Sequence, residues 1–167
     1  MSGIIIRRAM REDVPAILEI YNDAVLHTTA SADYEPRTLQ SRMEWFDNHE
    51  REGYPIFVAV NENDKVIGWS SLSHYHERVG YRFTAEDSVY VAANARGQGV
   101  GKQLVEPLIT SARDLGLHAI IASIGGDNEA SIRLHAALGF EERGHLPEII
   151  FKFEKWIDVV YMVKLLP

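Results

Sequence analysis

A chain of 167 residues, 46% of them hydrophobic, is long enough to bury the core of one domain, and the absence of cysteine excludes a thiol nucleophile. Its 17 basic and 24 acidic residues give a net charge of −7, which argues against a nucleic-acid partner because phosphate backbones attract a surplus of Lys and Arg. No stretch resembles the apolar core of a secretory signal or the roughly 18 apolar residues of a membrane span. We therefore expect one domain over residues 1–167 in the cytoplasm, with no membrane partner.

Apolar residues in the N-terminal half recur with the periods of strands and helices. The first predicted helix is capped by Asp13, and the second begins near Pro36 and runs toward Gly53. The last two strands of this half are joined by the short polar turn Asn61–Asp64, which indicates a hairpin. The strands predicted here are Ile4–Arg8, Ile56–Val60 and Lys65–Leu72.

The C-terminal half alternates strands with two helices. The first helix follows a glycine run and carries an apolar stripe from Leu104 to Leu115, and the second spans Asn128–Phe140 and is closed by Gly139. The predicted strands are Ser88–Val91, His118–Ile124, Glu141–His145 and Trp156–Leu165. This order of elements predicts an α/β (α+β) fold in which a single mixed sheet carries helices on both faces.

The glycine run Arg96-Gly97-Gln98-Gly99-Val100-Gly101 lies between a strand and a helix. Glycines there allow a tight turn that directs backbone N–H groups, and the positive end of the helix dipole, at a phosphate or pyrophosphate. A P-loop is excluded because Arg96 stands where its first glycine belongs and Gln103 where its hydroxyl residue belongs. A Rossmann fingerprint is excluded because Lys102 occupies the place of the third glycine.

The spacing Arg96-x-x-Gly99-x-Gly101 resembles the pyrophosphate-binding signature of the GNAT superfamily of acyl-CoA N-acyltransferases. About thirty residues later, the helix from Asn128 to Phe140 resembles the second half of the same cofactor site. The resemblance implies the GNAT fold, a twisted and mostly antiparallel sheet of about seven strands, and acetyl-CoA as co-substrate. The residues that it assigns to the cofactor are Val89, Tyr90, Val91, Arg96, Gly97, Gln98, Gly99, Val100, Gly101, Lys102, Asn128 and Ser131. The ring of Tyr90 is expected to pack in the core.

Motifs outside the cofactor site resemble the phosphinothricin acetyltransferase family, which includes methionine sulfone and methionine sulfoximine acetyltransferases. They are Ile20–Val25 with Thr28-Thr29, Gly53–Ile56, Glu86–Val91, Ser131-x-x-Leu134-His135 and Lys152-Phe153-x-x-Trp156-x-Asp158. Glu154 departs from this pattern, which has glycine at that position, so the last turn is in question. The resemblance implies direct transfer of acetyl from acetyl-CoA to the α-amine of a small amino-acid-like acceptor. It also implies a homodimer.

Direct transfer needs a base for the acceptor ammonium and an acid for the departing thiolate. The resemblance assigns Glu86 as the base, although Asp87 beside it could serve instead, and strand alternation should direct the two side chains to opposite faces. Histidine at position 135 replaces the tyrosine of most GNAT members. It could protonate the thiolate, or it could be a helix-surface histidine that bonds locally.

Acceptor recognition is assigned to the segment before the base. The candidate substrate-binding residues are His76, Glu77, Arg78, Arg82, Glu86, Asp87 and Ser88. Arg78 or Arg82 could bind a carboxylate through two hydrogen bonds. His74 and His76 share a strand face, but two histidines without a third spaced ligand do not make a zinc site, so no metal is expected.

Three other functions stay open. Another amine, such as a polyamine or a protein N-terminus, could be the acceptor. A catalytically silent acyl-CoA sensor would keep the loop around Gly99 and could dispense with Glu86. A nucleotide-binding regulatory domain would bind ATP rather than coenzyme A, which the spacing of the glycine run disfavours.

Overall fold

The computed structural model describes residues 3–167. It confirms the predicted order of strands and helices. The elements are β1 (Ile5–Arg8), α1 (Val14–His27), α2 (Leu39–Glu52), β2 (Ile56–Val60), β3 (Val66–His74), β4 (Thr84–Val91), α3 (Val100–Asp114), β5 (Ala119–Gly125), α4 (Glu129–Ala137), β6 (Glu141–Lys152) and β7 (Lys155–Leu165).

The strands form a single seven-stranded sheet in the order β1-β2-β3-β4-β5-β7-β6. Among the strands of residues 3–167, only the β4–β5 pair is parallel, and all other neighbours are antiparallel. The parallel pair is connected through α3, as a crossover between parallel strands requires. The expectation of a mixed, mostly antiparallel sheet is therefore confirmed.

Helices cover both faces of the sheet. On one face, α1 and α2 pack on β2 and β3 through a cluster that contains Ile17, Phe46, Val58 and Trp69. On the other face, α3 packs on the central strands, with Leu104, Val105 and Leu108 fully buried. Gly68 in β3 permits the close approach of α3, because a Cβ atom there would stand 2.9 Å from Leu104 Cδ1.

Several predicted boundaries were short or displaced. The second helix begins at Leu39 rather than near Pro36, since Thr38 has an extended backbone and caps the helix by accepting from Ser41 N. Strand β4 begins four residues before Ser88, because the polar residues Glu86 and Asp87 lie in the strand although they interrupt its apolar pattern.

The last hairpin is longer than its sequence pattern predicted. Strand β6 continues to Lys152 past an irregularity between Leu146 and Ile150, where Glu148 has a φ of 53°. The turn that follows uses Phe153 and Glu154 at φ 51° and 58°. Left-handed backbone at two successive positions is the geometry of a tight hairpin turn, so Glu154 closes the turn without glycine, at a cost of about 1 to 2 kcal/mol per residue.

Candidate active site where two strands diverge

The centre of the sheet opens between β4 and β5. The two strands pair only from Thr84 with Ala119 to Glu86 with Ile121. Beyond that point β4 continues along β3 as far as Val91, while β5 continues along β7 as far as Gly125. The inner edge of β4 after Glu86 therefore presents backbone groups to a cleft instead of to a strand, and such an edge can pair with an extended ligand.

A cleft of about 600 Å³ lies between the end of β4, the glycine loop and the start of α4. Every residue that the sequence assigned to the cofactor lines this cleft except Gln98. The amide of Gln98 instead donates to Asn94 O at 3.2 Å, outside the cleft. The two cofactor motifs, about thirty residues apart in the sequence, thus form one site.

The glycine loop has the backbone that its sequence requires. Gly97 and Gly99 have φ values of 74° and 78°, in the left-handed region, and a Cβ atom at either position would meet nothing within 4 Å. Gly99 is the N-cap of α3, and within residues 3–167 no side chain caps this helix end. Its first-turn N–H groups and the positive end of its dipole are thus oriented for an anion.

Close packing of α3 against α4 brings the two halves of the cleft together. A Cβ atom on Gly101 would stand 2.5 Å from Leu134 Cδ1, so the Leu134 side chain occupies the space that glycine leaves free. Two cations border the loop. Arg96 is held to the strand end by a hydrogen bond from Nε to Val91 O at 3.0 Å, and Lys102 is exposed in the first turn of α3.

The loop between α1 and α2 closes one side of the cleft, which sequence reasoning missed. Thr29 Oγ1 lies 2.9 Å from both carboxylate oxygens of Asp127, so a hydrogen bond joins this loop to the β5–α4 loop. Lys152, 3% exposed, donates from Nζ to Ser31 O at 2.7 Å. The motifs containing Thr29 and Lys152 were visible in the sequence, but their contacts span 98 and 121 residues and no local pattern predicts them.

Asn128 has the role of a cap as well as a place in the cleft. Its side chain accepts from Ser131 N at 3.2 Å at the start of α4. Both residues line the cleft wall opposite the end of β4.

Glu86 lies where β4 and β5 separate, beside a cavity of about 140 Å³ that adjoins the larger cleft. Burial raises the pKa of Glu86, a hydrogen bond with Ser123 of β5 opposes that rise, and the nearby charge of Asp87 adds to it. A carboxylate with a raised pKa can act as a general base near neutral pH. Glu86 pairs across the sheet with Ser73, on the face of the sheet that carries Trp69.

Asp87 points to the opposite face, as alternation predicted, and there it contacts His135. His135 Nε2 lies 2.9 Å from Asp87 Oδ2, and His135 Nδ1 lies 2.8 Å from Ser131 O. The histidine is 1% exposed, so the alternative of a helix-surface histidine is wrong. Burial lowers the pKa of His135, but the hydrogen bond and charge of Asp87 outweigh it and raise the pKa overall.

Tyr90 packs in an aromatic cluster rather than standing free in the cleft. Its ring stacks on Trp69 at 5.0 Å between centroids and meets Tyr21 edge-on at 5.3 Å. Burial raises the pKa of the Tyr90 phenol well above its ordinary value, so the phenol is protonated at neutral pH. Its hydroxyl donates to Ala30 O at 3.3 Å, which places the α1–α2 loop over the cleft.

The predicted acceptor residues separate into three groups. Glu86, Asp87 and Ser88 surround the small cavity. His76 and Glu77 line a second open cleft of about 700 Å³, between α2 and the end of β3, together with Ser73, the cross-strand neighbour of Glu86. Neither arginine lines these clefts. Arg82 donates to Val79 O and lies over the ring of Phe83, and the Arg78 backbone N–H donates to His76 Nδ1.

The model of the acetyltransferase (GNAT) family matches residues 14–140 of the chain. The chain belongs to the GNAT family.

The chain is 46% identical over 157 residues to the L-methionine sulfoximine/L-methionine sulfone acetyltransferase of Pseudomonas aeruginosa. The aligned region covers 94% of this chain and 91% of that protein. A GNAT phosphinothricin acetyltransferase from Sinorhizobium meliloti, solved in complex with acetyl-CoA, superposes with a TM-score of 0.95 at 37% identity over 98% of this chain and 89% of that one. A ribosomal-protein-alanine N-acetyltransferase from Brucella melitensis superposes with a TM-score of 0.94 at 43% identity over 97% and 99% of the chains.

The residues of this GNAT site fit acetyl-CoA as co-substrate. The helix end behind Gly99 and the cations Arg96 and Lys102 suit its diphosphate, and the open edge of β4 suits an extended arm that carries amides. Among residues 3–167, no group of three or more His, Asp or Glu side chains could hold a metal ion. The same residues contain no helix that is long and apolar enough to cross a membrane.

Proposed function

We propose that this GNAT enzyme transfers the acetyl group of acetyl-CoA to the α-amine of a small amino-acid-like acceptor of the methionine sulfone, methionine sulfoximine or phosphinothricin type. The observation that carries the proposal is the position of Glu86. It lines the small cavity that adjoins the cleft of the glycine loop, at the point where the strands diverge, and its cross-strand neighbour Ser73 lines the cleft that contains His76 and Glu77. The names of the Pseudomonas and Sinorhizobium relatives support the acceptor class.

The proposed reaction is direct transfer within a ternary complex, and a chain without cysteine cannot carry the acyl group on a thiol. Glu86, directly or through one water, removes a proton from the acceptor ammonium. The amine nitrogen then attacks the thioester carbonyl carbon, the C–S bond breaks, and the departing thiolate takes up a proton. A positioned base contributes typically about 10²- to 10⁴-fold to such a step.

Binding of acetyl-CoA is assigned to the backbone of the glycine loop and to the open edge of β4. The N–H groups around Gly97 to Lys102 would hold the diphosphate, and the backbone of Val89 to Val91 would hold the pantetheine arm. The α1–α2 loop, tied across the cleft by Thr29 and Asp127, would exclude water from the thioester.

Replacing Glu86 by Gln tests the base. Acetylation of methionine sulfone should fall by about 10²-fold or more while acetyl-CoA binding, measured by calorimetry, stays unchanged. Glu106→Gln is the matched control because Glu106 is exposed on α3 and lines none of the clefts. Unchanged turnover in Glu86→Gln would remove Glu86 from the mechanism, and a silent acyl-CoA sensor would show no turnover in any variant.

A protein N-terminus is a second candidate acceptor, favoured by the name of the Brucella relative. The two candidates are separated by a screen of acetyl-CoA consumption with methionine sulfone, methionine sulfoximine, phosphinothricin, ordinary amino acids, polyamines and a peptide that begins with alanine. Activity confined to the peptide or to polyamines would overturn the proposed acceptor.

We also infer that the protein forms a homodimer. The last hairpin supports this, because β6 is an edge strand and the hairpin that it forms with β7 exposes apolar side chains, and such a surface is typical of an interface. These side chains are Leu146, Ile149, Phe151, Phe153 and Trp156. Light scattering after size-exclusion chromatography should give twice the mass of one chain, and Trp156→Ser should shift the protein toward the monomer.

A further inference from the structure

Asp87 and His135 form a buried pair that direct acetyl transfer by Glu86 does not use. Their side chains are 3% and 2% exposed, and Asp87 Oδ2 lies 2.9 Å from His135 Nε2. The pair links the centre of β4 to the last turn of α4, and the ring of His135 also packs edge-on against Phe140 with 4.9 Å between centroids.

The partners of the two ring nitrogens determine where protons must be. Nδ1 lies 2.8 Å from the carbonyl oxygen of Ser131, which can only accept, and 3.3 Å from Ser131 Oγ, which can donate or accept. The shorter contact, with the carbonyl oxygen, requires a proton on Nδ1. A neutral imidazole would then face the Asp87 carboxylate with the lone pair of Nε2. Two acceptors at 2.9 Å repel each other, so the contact requires a further proton between them.

We propose that His135 is an imidazolium that neutralises Asp87 and is thereby a positioning residue for the base Glu86, rather than the donor of a proton to the thiolate. Both of its N–H groups are engaged within the protein, and transfer of either proton would leave the Asp87 carboxylate buried without a cation. An unpaired charge of that kind is costly. This inference rests on the proposed function of Glu86.

The pair acts on Glu86 through the charge of Asp87. Asp87 follows Glu86 in β4, on the opposite face of the sheet, and its charge raises the pKa of Glu86. The other titratable groups at the small cavity are Tyr90, which stays protonated, and His135. The remaining residues that line the cavity are uncharged, and they include Ser123 from β5, Ser131 from α4 and Asn128 at the N-cap of α4.

Without the imidazolium, the full charge of Asp87 would act on Glu86. The carboxylate form of Glu86 would then accumulate only at higher pH, so less base would be available at neutral pH. The imidazolium of His135 thus limits how far the neighbouring Asp87 carboxylate raises the pKa of Glu86.

The experiment compares the pH dependence of kcat/KM in the wild type, in His135→Gln and in the double variant Asp87→Asn/His135→Gln. Glutamine retains an N–H donor toward Asp87 and removes the positive charge. On the acid side of the profile, kcat/KM rises with pH as Glu86 loses its proton. We expect the midpoint of this acid limb in the single variant to lie about half a pH unit or more above that of the wild type. In the double variant the limb should return to the wild-type position or below.

A proton donor would give a different result. Loss of about 10²-fold or more in plateau kcat, equal in the single and double variants, would overturn the proposal, and so would an acid limb that does not move in His135→Gln.

A second measurement needs neither turnover nor a variant. Nitrogen NMR of the wild-type imidazole should find both ring nitrogens of His135 protonated at about pH 8, where a free histidine is neutral. An unprotonated Nε2 would overturn the proposal. This readout is independent of Glu86→Gln, so failure of the proposed base and failure of the ion pair can be told apart.

Discussion

The left-handed backbone at Gly99 allows a direct test of the cofactor site, because the chain contains a matched control. Gly99 and Gly116 are both exposed, have φ values of 78° and 70°, and would place a Cβ atom in open space. Alanine at either position therefore suffers the same backbone penalty of about 1 to 2 kcal/mol and no steric clash. The two positions differ in what surrounds them.

The backbone penalty should lower the free energy of unfolding in Gly116→Ala and weaken coenzyme A binding in Gly99→Ala. Gly116 is followed at once by the backbone hydrogen bond from Leu117 N to Ala112 O and then by β5, so its conformation is imposed by the fold. Gly116→Ala should lower the free energy of unfolding by about 1 to 2 kcal/mol and leave coenzyme A binding unchanged. The backbone contact at Gly99 is local, from Gln103 N to Gly99 O at 3.3 Å, so in Gly99→Ala the loop can relax in the free protein and must regain its conformation on binding. The dissociation constant should rise about 5- to 30-fold.

The assays are urea unfolding and calorimetric titration with coenzyme A, applied to both variants and the wild type. A dissociation constant of Gly99→Ala within about twofold of the wild type would refute the reasoning, because it would mean that the loop does not hold the diphosphate. Weaker binding in Gly116→Ala would equally show that the effect is not local to the site.

Three further predictions concern acidity and stability. Because the pKa of Glu86 is raised, its carboxylate form accumulates at higher pH than that of an ordinary glutamate. In steady-state assays, kcat/KM should therefore rise with pH along an acid limb whose midpoint lies above about pH 4.3. A midpoint at or below that pH would contradict the raised pKa. Leu104→Ala should lower the free energy of unfolding by about 2 to 5 kcal/mol in urea, since Leu104 is 0% exposed, and a loss below about 1 kcal/mol would show that the site collapses around the cavity. Asp13→Asn should cost about 1.5 to 3 kcal/mol at neutral pH, because Asp13 accepts two hydrogen bonds from Arg7 at 2.7 and 2.9 Å. Burial raises the pKa of Asp13, but Arg7 and the hydrogen bond from Met10 N together outweigh burial and lower the pKa overall. The stability from Asp13 is therefore present above the unfolded-state pKa and is lost as the pH falls through the folded-state pKa, where the stability curves of the two proteins should converge.

The sequence by itself determined the order of the elements and the identity of the cofactor loop. Both depend on local rules. Apolar periodicity identifies strands and helices, and a backbone that needs positive φ at Gly97 and Gly99 requires glycine wherever the chain folds. Alternation along β4 likewise sufficed to send Glu86 and Asp87 to opposite faces of the sheet.

Tertiary structure alone decided which distant groups meet. His135 lies 48 residues from its partner Asp87, and Thr29 lies 98 residues from its partner Asp127. No local sequence pattern predicts either contact. The same holds for the arginines, since a sequence shows that Arg78 and Arg82 are available but not that their side chains lie outside the clefts. The physical reason is that short-range conformational preferences act on neighbours in the chain, whereas a pair of buried charges depends on how the sheet brings separate strands and helices together.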